Sequence, residues 1–350
     1  MKAVILVGGE GTRLRPLTLG MPKPVVPVVD RPFLRHQLDL LRGAGVREVV
    51  FSVAYRPERI EALFGDGSSL GIAIRYAFEE TPLGTGGAVK NAEPHLDDRT
   101  IVLNGDVLAD VDLAAVVRAH RAAGASATIV LAPVPNPAAY GLVETDPAGR
   151  VRRFLEKPDP SEITTDTINA GIYVLETRVL DLMPPGVNHS IERAFFPALL
   201  ARGDVVLGPV HRGYWIDIGT HEKYRQVHRD ILRGRFPVRL DGDPRDGGVV
   251  HPTARIDPAA RLVGPFYVGP ACEVAAHGEV GPDATLVSDV GVGAGARLAD
   301  TVAWSGVRVG AEARVDGALL GTGVQVGRCA RLAGGVLGEG SVVSDFSTVP

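Results

Sequence analysis

VGAGARLADTVAWSGVR (residues 292–308), VGAEARVDGALLGTGVQ (309–325) and VGRCARLAGGVLGEGSV (326–342) are three consecutive 17-residue segments that align without a gap. Their columns repeat Val292, Val309, Val326 and Val343, then Gly293, Gly310 and Gly327, then Arg297, Arg314 and Arg331. Upstream the pattern runs with a period of six. Val250, Ile256, Leu262, Val268, Val274, Val280, Leu286, Val292 and Leu298 are all aliphatic. An aliphatic residue every six positions, often followed by Gly, marks a β-helix solenoid. Three short strands make one triangular coil, one aliphatic residue per strand points inward, and each coil buries that face only by stacking on its neighbours. An 18-residue coil shortened to 17 at one corner explains the slip after Leu298. The pattern predicts a β-helix of hexapeptide repeats over 250–350, because a flexible Gly/Val linker has no reason to keep aliphatic residues in register.

Working back from this tail, residues 235–249 are rich in Asp, Gly, Arg and Pro without periodicity and read as a linker. Residues 1–234 have a different rhythm. Short apolar runs at 3–7, 48–53, 72–76, 100–103 and 127–132 predict strands, and amphipathic segments at 33–42, 58–64, 112–123 and 220–234 predict helices. Strands alternating with helices argue a mostly parallel α/β sheet. Two domains result, 1–234 and 250–350, joined by 235–249.

Composition excludes several classes of function. The net charge is -4, with no basic block to bind nucleic acid. Cys272 and Cys329 are too few for a disulfide framework or a cysteine zinc site. The apolar run after Met1 is too short for a signal segment, and none reaches the roughly 18 residues of a membrane span. A soluble cytoplasmic protein is expected. Aromatic residues make up 5% of the chain, which predicts aliphatic cores. Only five of the 37 basic residues are lysines: Lys2, Lys23, Lys90, Lys157 and Lys223. In so arginine-biased a chain, a retained lysine is worth following.

Directly after the first strand stands Gly8-Gly9-Glu10-Gly11-Thr12-Arg13-Leu14-Arg15-Pro16-Leu17-Thr18. Glycines at a strand's carboxyl end let backbone N–H groups cradle anionic oxygens, where open α/β sheets bind ligands. The loop is not a Walker A, since no Gly-Lys-Ser/Thr follows, and Leu14 replaces the third Gly of the dinucleotide fingerprint. Next, Met21-Pro22-Lys23-Pro24 sets a lysine between two prolines, which stiffen the backbone around it. Asn188-His189-Ser190 fits a glycosylation acceptor only by chance in a cytoplasmic chain, and His251 and His277 read as surface histidines rather than acyltransferase bases.

The glycine loop and the Pro-Lys-Pro segment together resemble the sugar-1-phosphate nucleotidyltransferases, or nucleotide-sugar pyrophosphorylases. Further matches follow in order: Pro82-Leu83-Gly84-Thr85-Gly86-Gly87, Leu103-Asn104-Gly105-Asp106, Tyr140-Gly141, Phe154-Leu155-Glu156-Lys157-Pro158, Asn169-Ala170-Gly171-Ile172-Tyr173 and Trp215-Ile216-Asp217-Ile218-Gly219. The resemblance covers the whole chain. It implies a Rossmann-like nucleotidyltransferase domain followed by a left-handed β-helix.

The resemblance also implies a reaction: a sugar 1-phosphate attacks the α-phosphorus of a nucleoside triphosphate and pyrophosphate leaves. Such transfer needs positioning and charge neutralisation more than covalent help. By the same resemblance, Arg13, Lys23 and Asp106 are catalytic. Leu6, Gly8, Gly9, Gly11, Thr12, Arg13, Gly84 and Thr85 bind the nucleotide, and a base approaches main-chain groups where the 84–87 glycines lack side chains. Gly141, Glu156, Lys157 and Asn169 hold the sugar phosphate, and Asp106 and Asp217 hold Mg2+, a hard cation suited to carboxylates and phosphate oxygens. GTP and mannose 1-phosphate are the expected substrates; UTP, dTTP, ATP or CTP with glucose 1-phosphate or another sugar 1-phosphate is the alternative. A catalytically inactive regulatory subunit is the reading from another class, and it would be expected to lack Arg13, Lys23, Asp106 or Asp217. No nucleic acid or membrane partner is expected, and self-association through the β-helix is.

Overall fold

A computed structural model describes residues 1–350. The chain divides into two compact units that cut across sequence order: Met1–Gly9 with Leu34–Trp215, and Glu10–Phe33 with Ile216–Pro350. The expected boundary near 234 followed the change in periodicity. The compact units instead put the Glu10–Phe33 loop and the last helix with the β-helix.

In the first unit, Lys2–Leu6, Glu48–Val53, Ala73–Phe78 and Arg99–Asn104 are the expected apolar strands. They pair in parallel in the order 73–78, 48–53, 2–6, 99–104, so their carboxyl ends share one edge. The helix Pro57–Phe64 makes one of the crossovers between them. Beyond 99–104 the direction changes. Thr167–Glu176 runs antiparallel to Arg99–Asn104, to Ala127–Pro133 and to Gly141–Thr145. Gly141–Thr145 and Val151–Glu156 close a hairpin. Its turn is held by Asp146, which accepts from the N–H groups of Ala148 and Arg150 at 2.9 Å each.

Aliphatic residues such as Val4, Val50, Val102, Ile129 and Leu175 fill this core, but not alone. Phe154, Tyr173 and Phe195 surround Phe196 with ring centroids 5.4–5.6 Å away. The aromatic residues are few but concentrated, so the expectation of wholly aliphatic cores fails here. Each buried ring removes a large apolar area from water, and paired rings add attraction of their own.

In the second unit the β-helix forms as three stacked parallel sheets. Successive coils pair 18 residues apart at first, Val274 with Val292 and Val280 with Leu298. After Leu298 the partners are 17 apart, as in Leu298 with Val315 and Val309 with Val326. The missing residue is lost at one corner, because Leu286 pairs with Ala303. The inward positions Val268, Val280, Leu286, Leu298, Val315 and Leu320 are completely or almost completely buried.

The segment read as a linker is not structureless. Asp243–Arg245 and Gly248–Val250 pair antiparallel, and Gly248–Val250 goes on to pair with Phe266–Val268 in the β-helix. The turn residues Asp246 and Gly247 have φ of 48° and 80°, the backbone that a two-residue hairpin demands and that Asp-Gly readily supplies. The last helix, His221–Leu232, is capped by Thr220, whose hydroxyl accepts from the Lys223 N–H at 3.3 Å.

Candidate active site

In the first unit Leu6, Gly8 and Asp106 lie at the carboxyl edge of the parallel strands. Leu6 ends the first strand, and its carbonyl accepts the Gly105 N–H at 3.0 Å. A Cβ on Gly105 would collide with that same carbonyl. Glycine is therefore required for the turn after Arg99–Asn104 to lie against the end of Lys2–Leu6, and that turn carries the half-buried Asp106. Gln37 pins the turn from the helix Phe33–Gly43, donating through Nε2 to the carbonyls of Asn104 and Val107 at 2.8 Å each.

Gly8 follows the same strand end. A Cβ there would meet Glu79 Oε1 at 3.2 Å, whereas Gly9 faces open space. Glu79 is buried; it accepts from Ser52 Oγ and from the Leu83 N–H, both at 2.9 Å. It thereby fixes the start of the helix Gly84–Ala92, whose first turn is the 84–87 segment expected as a loop.

The glycines of that first turn pack against the protein's own backbone. The N–H groups of Gly86 and Gly87 donate to the His189 carbonyl at 2.8 and 3.1 Å. A Cβ on Gly84 would sit 2.8 Å from the same oxygen, and one on Gly87 would sit 2.6 Å from the Val187 carbonyl. The missing side chains admit the protein's own 187–189 backbone. Thr85 donates to Glu192 Oε2 at 2.7 Å and accepts from the Ile191 N–H at 3.0 Å.

The residues expected at the sugar phosphate share the antiparallel strands. A Cβ on Gly141 would stand 2.9 Å from Glu156 Oε2, so the absent side chain leaves that carboxylate accessible. Lys157 is exposed, with a left-handed φ of 52°, and its N–H donates to the Tyr140 carbonyl at 3.1 Å. Asn169 donates to the Tyr173 hydroxyl at 2.8 Å and accepts from the Gly171 N–H at 2.9 Å. The Tyr173 hydroxyl in turn lies 3.4 Å from Glu192 Oε1. Burial, and then the neighbouring Glu192 charge, push the Glu156 carboxyl above its usual range, with Lys157 and Arg193 opposing.

In the second unit, Gly11 has φ of 64°, and a Cβ on it would lie 2.7 Å from the Lys23 Cβ. The loop folds so tightly that Gly11 and the buried Lys23 are neighbours. Thr18, also buried, clamps it by donating to the Gly11 carbonyl at 2.8 Å. Leu14 and Leu17 are buried anchors, while Thr12 and Arg13 stay exposed. Arg13 and Asp217 converge on Gly219: a Cβ there would meet Asp217 Oδ2 at 2.7 Å and Arg13 Nη2 at 3.1 Å. Asp217 Oδ1 accepts from Lys223 Nζ.

Three charged residues of these clusters escaped the sequence reading. Glu79 and Glu192 lie outside every motif that was followed. Lys223 carried a usable signal, because it is one of only five lysines.

Nowhere do three or more His, Cys, Asp or Glu side chains form a metal-binding group. The carboxylate oxygens of Asp106 and Asp217 are hard donors, which suit a cation completing its shell with phosphate and water. No helix is long and apolar enough to cross a membrane.

Comparison with known proteins bears on this arrangement. A family model described as nucleotidyl transferase matches residues 2–234, and one described as GMPPB C-terminal domain matches residues 247–349. The chain is 46% identical to the mannose-1-phosphate guanylyltransferase of Mycobacterium tuberculosis, over 78% of its own length and 76% of that protein's. It is 32% identical to a UTP–glucose-1-phosphate uridylyltransferase of Synechocystis, over 87% of each chain. Among solved structures, HddC from Yersinia pseudotuberculosis complexed with GMP-PN is 30% identical with a TM-score of 0.56, over 65% of this chain and 97% of that one.

Proposed function

The chain belongs to the nucleotidyl transferase family, and on that premise we propose that it is a mannose-1-phosphate guanylyltransferase. In this reading a phosphate oxygen of mannose 1-phosphate attacks the α-phosphorus of GTP. The bond from that phosphorus to the oxygen bridging the β-phosphorus breaks, giving GDP-mannose and pyrophosphate. The observation that carries the reading is the 46% identity to a guanylyltransferase for mannose 1-phosphate. The charged residues described above supply what such a reaction needs.

Both substrates are anions, so cations must bring them together and stabilise the charge that develops at phosphorus. We assign Arg13 and Lys23 to the triphosphate, with the backbone of Gly8, Gly9, Gly11 and Thr12 around it. Gly84 and Thr85, which begin the helix Gly84–Ala92, are assigned to the base. Lys157 is assigned to the sugar's phosphate, while Glu156 and Asn169 accept and donate hydrogen bonds at its hydroxyls beside Gly141. Asp106 and Asp217 are assigned to Mg2+, which when bound neutralises phosphate charge and polarises the α-phosphorus. In this assignment residues 1–234 are the catalytic part. The cytoplasm, where nucleoside triphosphates are made, is the assigned compartment.

The β-helix is assigned to self-association. Its last coil exposes Val342 and Phe346, 67% and 66% accessible. Light scattering on the full chain tests this: an oligomer that Phe346→Ser with Val342→Asp dissociates supports it, and a wild-type monomer excludes it.

A matrix of GTP, UTP, dTTP, ATP and CTP against mannose, glucose and N-acetylglucosamine 1-phosphates, read as pyrophosphate release, tests the substrates. Preference for GTP with mannose 1-phosphate is expected. Preference for UTP with glucose 1-phosphate is the second reading, favoured by the Synechocystis relative. No release from any pair would favour a regulatory subunit.

A further inference from the structure

We propose that the β-helix is the support that sets the phosphate-binding loop, and that Tyr224 is the positioning residue through which it acts. The proposal rests on the assignment of Arg13, Lys23 and Asp217 given above, and on contacts that lie wholly within the second unit.

The loop Glu10–Phe33 belongs to the same compact unit as the β-helix, and it touches that domain directly. A Cβ on Gly338 would sit 3.0 Å from the Pro16 Cβ, and one on Gly20 would sit 2.6 Å from Glu339 Oε2. The corner Gly338–Glu339, late in the β-helix, therefore lies against the segment between Arg13 and Lys23. Glycine at 338 is what lets Pro16 come so near.

The second contact is a relay. Trp304, at a corner of the β-helix, donates its indole N–H to the Tyr224 hydroxyl at 2.9 Å. That hydroxyl donates to the Pro27 carbonyl, three residues past the Pro22-Lys23-Pro24 segment. Tyr224 is fully buried and Trp304 is 3% exposed. Each polar atom of the relay is thus satisfied by the next, and water does not compete for them.

The helix that carries Tyr224 is itself locked to the coils. Arg229 forks onto Asp300, with Nε to Oδ1 at 2.5 Å. Arg233 forks onto Asp283 at 3.0 and 2.6 Å. Arg225 donates to the Gly317 carbonyl. Asp283, Asp300 and Gly317 occupy one corner on three successive coils, all left-handed with φ of 56°, 46° and 67°. Four residues of helix rise about 6 Å, and neighbouring strands lie about 4.8 Å apart. Successive turns of the helix therefore meet successive coils. Bidentate arginine–carboxylate pairs fix orientation as well as distance. At the front of this locked helix, Lys223 holds Asp217.

The β-helix thus grips three parts of the proposed phosphate side: the loop after Arg13, the backbone after Lys23, and the helix that holds Asp217. Reactions between two bound anions are sensitive to such placement, because small displacements of positioned groups carry large rate penalties.

The test uses Tyr224→Phe in the full chain, which keeps the ring against His228 and Trp304 and removes only the hydroxyl. We expect kcat to fall about tenfold or more, on the scale of small misplacements. The KM for mannose 1-phosphate should stay within about twofold, because Glu156 and Lys157 belong to the other unit. Amide exchange should accelerate over residues 12–27 and stay unchanged in the strand Arg99–Asn104. A second test swaps Arg229→Asp with Asp300→Arg: each single change should slow turnover, and the pair should restore it. Unchanged kcat and unchanged loop exchange in Tyr224→Phe would overturn the proposal, as would faster exchange throughout the chain. If the wild-type chain turns over no substrate pair, the functional reading fails on its own and the exchange measurement decides the positioning claim.

Discussion

Lys223 donates to the carboxylate of Asp217, six residues earlier in the chain. Gly219, between them in sequence, lacks the Cβ that would crowd both the Arg13 guanidinium and the Asp217 carboxylate, at 3.1 and 2.7 Å. A glycine here is a matter of space rather than of backbone angle. Gly219→Ala should displace Arg13 or Asp217 and lower kcat by roughly 10- to 100-fold, with little change in thermal stability. Steady-state kinetics beside a melting curve check this. Wild-type kcat would mean that the convergence of Arg13 and Asp217 has no part in turnover.

Asp106 and Asp217 carry the metal assignment. Asp106→Asn and Asp217→Asn keep the shape of each side chain and remove its charge. Each should abolish most Mg2+-dependent turnover while circular dichroism stays that of the wild type. Near-normal activity in either variant removes that residue from the metal site.

The Glu156 carboxyl sits above its usual range because of burial and then because of Glu192. Its ionised form accepts hydrogen bonds without offering a competing proton. As pH falls through the raised value, Glu156 gains a proton and the KM for the sugar phosphate should rise. The break should lie above 4.5, the ordinary value of the group. Glu192→Gln removes one of the two causes and should move the break to lower pH. The sign for stability is opposite: a raised carboxyl pKa makes ionisation costly to the fold as pH rises through that value, and the Glu192 change relieves this cost. KM–pH profiles of both proteins decide it, since the substrate's own titration is common to them. Coincident profiles would disprove the coupling.

Leu298 stands where the coil length changes from 18 to 17 and is completely buried. Leu298→Ala should destabilise the chain by about 3 kcal/mol, the usual cost of such a cavity. Denaturant melts followed by circular dichroism measure it. A loss below about 1 kcal/mol would mean that the coil collapses around the gap.

The β-helix was legible in the sequence because one rule, an inward aliphatic residue per strand, repeats along the tail. Even the shortened corner after Leu298 could be read from spacing. The parallel strands were legible because fully buried strands are continuous apolar runs, as in AVIL at 3–6. Among the antiparallel strands Ala127–Pro133 was legible for the same reason, but the others were not. VRRFLE at 151–156 is buried at only two of its six positions and shows no clean alternation. Asp246-Gly247 was a hairpin signal lost in a segment judged by its lack of period. At the site, residues within motifs could be named individually, but their supports could not. Glu192 serves Thr85 and Tyr173 across gaps of 107 and 19 residues, and no spacing rule reaches so far. Lys223 was within reach, because the scarcity of lysine that drew attention to Lys23 applies to it equally.

The most direct test of the central claim follows the label of GTP radiolabelled at the α-phosphate, incubated with mannose 1-phosphate, Mg2+ and the full chain. We expect the label to move into GDP-mannose in step with release of unlabelled pyrophosphate, one for one, and no labelled product without the sugar phosphate. Labelled GMP or GDP in place of the nucleotide sugar, or no transfer at all, would contradict the account.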